Sequence, residues 1–545
     1  MNPTFALYPD APAGGGQGAT PQEIIGFLGD SASYRHRPTN VTIIQTHASI
    51  VAIAPPYVYK VKKNVDLGFL DYSTPELRKQ YCQQEVALNR RLAPDIYLGI
   101  TPIVRTAEGG LMFAETGDVV EYAVTMRQIP DEALLKNRLA RGQVSRSDMA
   151  GVARLLGAFY RGQQPAPEVR SFGSPEQIRY SIEENFTQTE RFSGAAISAS
   201  ALRAIRAYNA RFFEIFSPTL ERRAAEGRIV ECHGDLHLEH IAFLPEGVRI
   251  FDCIEFSDRF RCIDVANDAA FLAMDLEFHK RFDLAQTFAE TIAAETGDRN
   301  AVPVLNFYKC YRAYVRGKVA ALRSVSTGLP APELHASFAL AKKYFRLALH
   351  YALSHSRPTA LFVMGKPASG KSSLAQHIAA ETGWKYCSSD ILRKELGGVH
   401  LYERGSEKER KALYSTGMTE RTYASIEKEL ASAGAARRQI VIDATFGKKL
   451  HRDRFREAAA RAGMRHCFIV AHTSDAETAE RLKRRDHNTH TISDARLEDY
   501  AAIAAGYEEP DELPRGQKIE AECSGRQRQL CGDMLSELAR SGFDW

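Results

Sequence analysis

Thr359-Ala-Leu-Phe-Val-Met-Gly-Lys-Pro-Ala-Ser-Gly-Lys-Ser-Ser373 decides the reading of the C-terminal part of the chain. Leu361, Phe362, Val363 and Met364 form the unbroken apolar run of a strand buried on both faces. Gly365, Gly370, Lys371 and Ser372 then fall at the spacing G-x-x-x-x-G-K-[ST], between a strand and a helix. The glycines let the backbone of Lys366, Pro367, Ala368 and Ser369 curl so that N–H groups converge on phosphate oxygens. Lys371 adds a point charge, Ser372 a hydroxyl for Mg²⁺, and Ser373 continues into a helix whose N-terminal dipole favours anions. Leu374 and Ile378 mark its inner face and Gly383 its stop.

Downstream, apolar runs alternate with helical stretches, the pattern of a parallel α/β sheet. Lys385-Tyr-Cys-Ser-Ser ends at Asp390, and Gln439-Ile-Val-Ile-Asp443 ends at Asp443. His466-Cys-Phe-Ile-Val-Ala471 follows, and the chain closes with a short strand at Lys518–Cys523 and a helix. Ligands in such sheets sit beyond the carboxyl ends of the strands, so Asp390 and Asp443 are both aimed at the phosphate site. A helix N-cap is the bland alternative for Asp390. Arg481, Arg484 and Arg485 share one helix before the irregular stretch Asp486–Ser493, and Ser493 is placed to cap the next helix. A solvated face is the bland alternative for these arginines.

The polar stretch His355-Ser-Arg-Pro358 marks the expected domain boundary, with a second domain over 356–545. The first domain, 23–355, opens with strand-like runs at Val41–Gln45, Ser49–Ala54 and Tyr57–Lys63, an antiparallel meander. A helix is expected from Pro75 to Leu92, and strands at Ile100–Val104, Leu111–Ala114 and Tyr122–Met126. After Pro130 the pattern turns helical until Arg228. The small, sheet-rich lobe thus covers about 23–128 and the larger helical lobe about 129–355. The larger lobe carries Ile229-Val-Glu-Cys-His-Gly-Asp-Leu-His-Leu-Glu-His-Ile-Ala-Phe243, a turn, and the strand Arg249–Phe256 with Asp252. His233, His237 and His240 also have the spacing of transition-metal ligands on one helix face, a rival reading of this stretch.

His233-Gly-Asp235 followed by a strand carrying Asp252 resembles the aminoglycoside phosphotransferase family, small-molecule kinases with a protein-kinase-like fold. The whole chain resembles a bacterial fusion of that domain with a small P-loop kinase. The resemblance implies a bilobal protein-kinase-like N-terminal fold and a C-terminal P-loop α/β domain with a helical lid. Phosphoryl transfer to a hydroxyl needs a carboxylate to orient the nucleophile and take its proton, and Asp235 is the candidate. Asp252 is the candidate for the carboxylate on the metal. The family uses an asparagine, five residues after the base, as a second metal ligand; here that position is His240. Imidazole can ligate metals, but Mg²⁺ prefers oxygen, so altered metal use or reduced activity follows. Glu255 and Asp264 are candidates to support the site, with a helix cap equally open for Asp264. Lys60 resembles the lysine that grips the α- and β-phosphates and Glu85 its ion-pair partner. Lys62 shares a strand face with Lys60, so the assignment can slip. Tyr122–Pro130 would be the hinge that meets adenine. A glycine-rich flap is missing, and Thr46-His-Ala-Ser49 stands in its place.

Ser389-Asp390-Ile-Leu-Arg393 resembles the acceptor site of polynucleotide-kinase-like and chloramphenicol-phosphotransferase-like P-loop kinases. There the aspartate is general base and the arginine contacts the acceptor or the transferring phosphoryl group. Asp443 resembles the carboxylate that positions Mg²⁺ through water. The arginines resemble a lid in which Arg484 or Arg485 reaches the γ-phosphate and Arg481 helps hold the nucleotide.

Composition sets the outer limits. Charged residues make up 25% and hydrophobic residues 44%, an ordinary globular balance, and 545 residues exceed what one core can organise. The net charge of +4 does not favour a nucleic-acid or membrane partner. Nine cysteines without a Cys-x-x-Cys pair fit a reducing cytoplasm and argue against a disulfide framework or zinc ribbon. No apolar run reaches the roughly 18 residues of a membrane span, and the start lacks a signal pattern. Residues 1–22 are Gly-, Ala- and Pro-rich from Pro9 onward and are expected to be mobile. The expectation is a cytoplasmic, bifunctional ATP- and Mg²⁺-dependent phosphotransferase acting on hydroxyls of small-molecule acceptors. The alternatives are a P-loop kinase regulated by a nucleotide-binding pseudokinase domain, or a nucleic-acid end kinase. Neither the acceptors nor the oligomeric state follow from the sequence.

Overall fold

In a computed structural model, residues 18–68, 70–298, 301–403, 407–486, 492–493, 496–524 and 527–542 are described. The expected mobile start falls almost wholly outside them. The chain forms two compact units, Met1–Ile178 with Leu220–Ala301, and Arg179–Thr219 with Val302–Trp545.

The first unit opens with β1 (Thr42–Gln45), β2 (Ser49–Ala54), β3 (Tyr57–Lys62), β4 (Tyr97–Arg105), β5 (Leu111–Phe113) and β6 (Asp118–Arg127). They form one antiparallel sheet in the order β1-β2-β3-β6-β4-β5. Strand alternation sends Ile50, Ala52, Val61 and Ala123 into one small core. Thr74 caps the helix Pro75–Asn89, whose first position is proline. This helix packs on β4 and β6, and its Cys82 and Val86 join Tyr97 and Val124 in a second core on the other face. The expected hinge segment Tyr122–Pro130 is mostly strand: β6 runs to Arg127, and only the residues after it leave the sheet.

The other lobe of this unit holds β7 (Ile229–Glu231), β8 (Ile241–Leu244), β9 (Gly247–Ile250) and β10 (Cys262–Asp264). β7 pairs with β10 and β8 with β9, both antiparallel. Helices Arg146–Arg161, Val265–Phe278 and Phe282–Thr296 close around Val152, Leu156, Leu236, Leu272 and Phe288. Two lobes of this composition, with the lysine on β3 and the His233–Asp235 turn on the helical lobe, make the unit protein-kinase-like. Asp264 takes its bland role. It caps Val265–Phe278 by accepting from the Ala266 amide at 2.8 Å and is clasped by the Arg223 guanidinium.

The second unit is built on a parallel sheet of β11 (Thr359–Met364), β12 (Lys385–Ser388), β13 (Ile440–Asp443), β14 (Arg465–His472) and β15 (Lys518–Glu522). The order is β12-β13-β11-β14-β15, which puts the strand before the glycine loop at the centre, buried along its whole length. Phe362, Ile442, Phe446, Phe455 and Phe468 fill the core on one side. The long helices Val302–Arg323 and Ala331–Ser354 pair with each other, and the second packs on Lys371–Thr382 and Gln527–Ser541. The expected break at 355/356 therefore lies inside this unit: a helix pair that reads as part of the first domain contributes its apolar face to the P-loop sheet's surroundings.

His355 ends the Ala331–Ser354 helix in a left-handed conformation (φ +48°). Its ring sits edge-on to Tyr208, and burial, with Arg465 and Arg357 nearby, pushes its pKa down to about 3. The folded pKa lies below the unfolded one, so the stabilisation exists above about pH 6.5 and is lost as pH falls toward 3. Between pH 7 and pH 5 the second unit should lose about 2 kcal/mol through this group alone. Urea midpoints of wild type and His355→Gln at the two pH values check this; equal pH sensitivity in both would refute it.

Candidate functional site

In the first unit the strand period puts Lys60 and Lys62 on one face of β3, and both reach Glu85 on the following helix. Lys60 Nζ donates to Glu85 Oε1 at 2.9 Å and to Asp252 Oδ1 at 2.8 Å. Lys62 Nζ donates to Glu85 Oε2 at 2.7 Å and also to Glu255, which accepts from the Tyr72 hydroxyl at 2.6 Å. The two lysines differ in burial. Lys62 is sealed inside, whereas Lys60 keeps 17% of its side chain exposed and faces Asp252. Burial works against both charges, and the carboxylates outweigh it, holding both ammonium groups well above their ordinary pKa. Glu255 thus supports the site from behind by fixing Lys62.

Asp252 follows β9 at φ +63°, a left-handed backbone that a non-glycine residue adopts only when its surroundings hold it. Its amide donates to the Tyr97 hydroxyl at 3.1 Å, and the next amide, Cys253, donates to Asn89 Oδ1 at 2.8 Å. Burial opposes the charge on Asp252, but Lys60 and then His240 keep its carboxyl below the usual carboxylate range. Asp235 lies on the turn after β7. The turn is held by Asp268, which accepts from the His233 amide at 3.0 Å, the Gly234 amide at 2.9 Å and the Tyr160 hydroxyl at 2.8 Å. Asp275 accepts from the Leu238 amide at 3.1 Å. These four supports, Tyr97, Asn89, Asp268 and Asp275, were not singled out in the sequence.

The three histidines do not share a helix face. His233 lies in the turn, and His237 precedes the single turn Leu238–His240. Asp235, His237 and His240 do cluster, with ligand-bearing atoms within 4.8 Å of one another. His240 stands between the two catalytic candidates: Nδ1 is 2.9 Å from the Asp235 carbonyl oxygen, and Nε2 is 3.5 Å from Asp252 Oδ2. Burial, followed by His237, lowers its pKa to about 4, so the ring is neutral at physiological pH. At Thr46–Ser49 a closed turn occupies the place of the missing flap, with the Thr46 amide donating to the Ser49 carbonyl.

In the second unit the loop after β11 curls as the spacing requires. Gly365, Ala368 and Gly370 take φ of +144°, +60° and +97°. A Cβ on Gly365 would lie 2.5 Å from the Ala471 carbonyl oxygen, and one on Gly370 would lie 2.8 Å from Cys523 Cβ. Gly370→Ala should therefore cost about 1–3 kcal/mol of stability and weaken triphosphate binding. Urea unfolding and calorimetric titration check both; unchanged values would refute the close-approach argument.

Lys371 and Ser372 open the helix Lys371–Thr382 beside Asp443 at the end of β13. Burial raises the Asp443 pKa, with Lys371 and the Ser372 hydroxyl opposing it. Asp443 Oδ2 accepts from the Tyr386 hydroxyl at 2.8 Å, while Oδ1 is buried with no hydrogen-bond partner, as is Ser369 Oγ. Buried orphan oxygens beside Ser372 fit a hard divalent cation and a phosphate. Asp390 lies in the first turn of the helix Ser389–Gly397, close enough to Asp443 to raise its pKa; the N-cap position belongs to Ser388.

The arginines separate by partner. Arg481 donates to the Ala368 carbonyl at 3.1 Å and the Cys523 carbonyl at 2.7 Å, so it braces the glycine loop from behind. Arg484 faces solvent, with Glu480 at 3.8 Å, and Arg485 is partly buried. Arg393 is buried under Tyr414 and donates to the Leu413 carbonyl at 2.9 Å and Thr419 Oγ1 at 3.1 Å. Its Nε has no hydrogen-bond partner. Lys366 pairs with Glu509 at 3.2 Å, and both line, with Ser369, a cavity of about 60 Å³. Most of the expected lid stretch, residues 487–491, lies outside the described residues; Ser493 does not cap the next helix, whose N-cap is Arg496.

Residues 361–510 match the AAA_33 family model, described as an AAA domain. Among solved structures, the chain is similar to a gluconokinase from Sinorhizobium meliloti, with 24% identity over 34% of this chain and 95% of that one, at a TM-score of 0.25. It is also similar to a choline kinase from Cryptosporidium parvum, with 12% identity over 61% of this chain and 94% of that one, at a TM-score of 0.38. The protein of Mycobacterium tuberculosis named "Uncharacterized protein Rv2004c" is 30% identical over 470 residues, 85% of this chain and 90% of that protein. A Mycobacterium bovis protein matches to the same extent. With nine-tenths of their length aligned at this identity, the chain belongs to the family of these mycobacterial proteins.

Proposed function

We propose that the protein is a bifunctional ATP-dependent phosphotransferase, each unit moving the γ-phosphoryl group of a nucleoside triphosphate to a hydroxyl of a small-molecule acceptor. The observation that carries this reading is the convergence of Lys371, Ser372 and Asp443, with its orphan Oδ1, on a loop whose Gly365 and Gly370 leave no room for a Cβ. Loop amides and Lys371 hold the β- and γ-phosphate oxygens, and Lys371 stabilises charge that grows during transfer. Ser372 and Asp443 are the residues that would hold Mg²⁺, which neutralises phosphate charge when bound. Asp390 takes the proton of the acceptor hydroxyl as the oxygen–phosphorus bond forms and the bond to the β-phosphate oxygen breaks. Arg393 fixes the acceptor side, and Arg484 or Arg485 reaches the transferring group on lid closure.

In the first unit Lys60, oriented by Glu85, holds the α- and β-phosphates; Asp235 is the base and Asp252 the metal carboxylate. The Lys60–Glu85 and Lys60–Asp252 pairs support an assembled rather than a decayed site. A metabolite extract treated with protein and ATP, read by mass for phosphate gain, tests the reading. Two sets of products are expected, one lost with Lys371→Ala and the other with Asp235→Asn. A single set, indifferent to Asp235→Asn, would reduce the first unit to a regulatory module.

A further inference from the structure

We infer that the first unit's site takes a divalent transition ion, of the Mn²⁺, Fe²⁺, Co²⁺ or Zn²⁺ class, in place of Mg²⁺, with His240 Nε2 and Asp252 as its protein ligands. The inference rests on the proposed role of Asp252 and narrows it to a metal class. Its basis is the tautomer of His240. Nδ1 lies 2.9 Å from the Asp235 carbonyl oxygen, and a carbonyl can only accept. Nδ1 therefore carries a proton, and Nε2 is the ring nitrogen whose lone pair is open to a metal. That lone pair faces Asp252 Oδ2 at 3.5 Å. A nitrogen and a carboxylate oxygen facing each other at this range need a proton or a metal ion between them.

The separation suits one. Ligand atoms about 2.1 Å from a shared ion and adjacent in its coordination sphere stand about 3.0–3.4 Å apart. Histidine ligands characteristically donate their other ring nitrogen to a carbonyl or carboxylate, which fixes ring and tautomer, and His240 is held in that way. The other oxygen of Asp252 is engaged by Lys60 at 2.8 Å, so the carboxylate cannot swing away. His237 has the opposite tautomer. Its Nδ1 accepts from the Glu239 amide at 3.3 Å, so Nε2–H points to Asp235 Oδ2 at 3.4 Å. His237 thus orients Asp235 and leaves ligation to His240. An imidazole nitrogen in the inner sphere selects against Mg²⁺, which keeps to oxygen, and for first-row transition ions. Phosphate oxygens and water complete the sphere.

The test uses Mn²⁺ and a non-hydrolysable ATP analogue with the full-length chain carrying Lys371→Ala. Electron spin echo modulation of bound Mn²⁺ should show a directly coordinated imidazole nitrogen. The second unit's ligand set, Ser372 and Asp443, has no imidazole and cannot supply it. His240→Asn should abolish the nitrogen coupling and lower the preference for Mn²⁺ over Mg²⁺ at least about tenfold, measured by competition. The wild-type His240 spectrum decides even where that variant fails to fold. Mn²⁺ and analogue bound at the first unit without nitrogen coupling would overturn the metal assignment and leave the kinase reading standing. No analogue bound there at all would overturn both.

Discussion

Lys371→Ala should lower turnover at the P-loop site by at least about 10²-fold, the scale for removing one preorganised charge from a phosphoryl-transfer site. The side chain opens the helix Lys371–Thr382 and acts on the buried Asp443, so its charge lies where phosphate oxygens would collect. The effect should appear in triphosphate affinity and more strongly in kcat, because the charge holds the bound phosphates and matters most as negative charge grows on the transferring group. Stability should change little: the apolar residues that seat this helix, Leu374, Ala375 and Ile378, are untouched. The assay is run with the first site silenced by Asp235→Asn. Turnover within a few-fold of the parent would remove Lys371 from the chemistry.

Asp235→Asn itself should lower first-unit transfer by about 10²–10⁴-fold, the usual contribution of a positioned base. Asparagine keeps the shape and cannot take a proton. The turn that presents it is held by the His233 and Gly234 amides on Asp268, and asparagine keeps an oxygen toward His237, so the fold should survive. Analogue binding should persist as well, since Lys60, Glu85 and Asp252 are unchanged. Loss of transfer with retained binding separates a catalytic base from a structural carboxylate. Transfer that continues unabated would assign the proton to another group.

The difference between the two units lies in how local their signals are. The glycine loop is legible because its requirements are short-range: a buried strand, two glycines at positive φ, then Lys371 and Ser372 at a helix start. The parallel strands and Asp443 follow from the same periodicity. In the first unit the period-two rule put Lys60 and Lys62 together, and only burial told them apart. Asp268 and Asp275 read as ordinary helix carboxylates. Their work is to accept amides about 35 residues back along the chain, which no spacing announces. Tyr97, at the start of β4, likewise accepts from the amide of Asp252, 155 residues further along the chain. The division into units was hidden for a related reason. An amphipathic helix such as Ala331–Ser354 declares that it has an apolar face, but not which core receives it.

The central claim is that one chain grips two triphosphates independently. Equilibrium titration of the full-length protein with a non-hydrolysable ATP analogue and divalent metal counts the grips directly. Two sites per chain are expected, with Lys371→Ala weakening one and Lys60→Ala weakening the other. A single site per chain, insensitive to one of these two substitutions, would contradict the account.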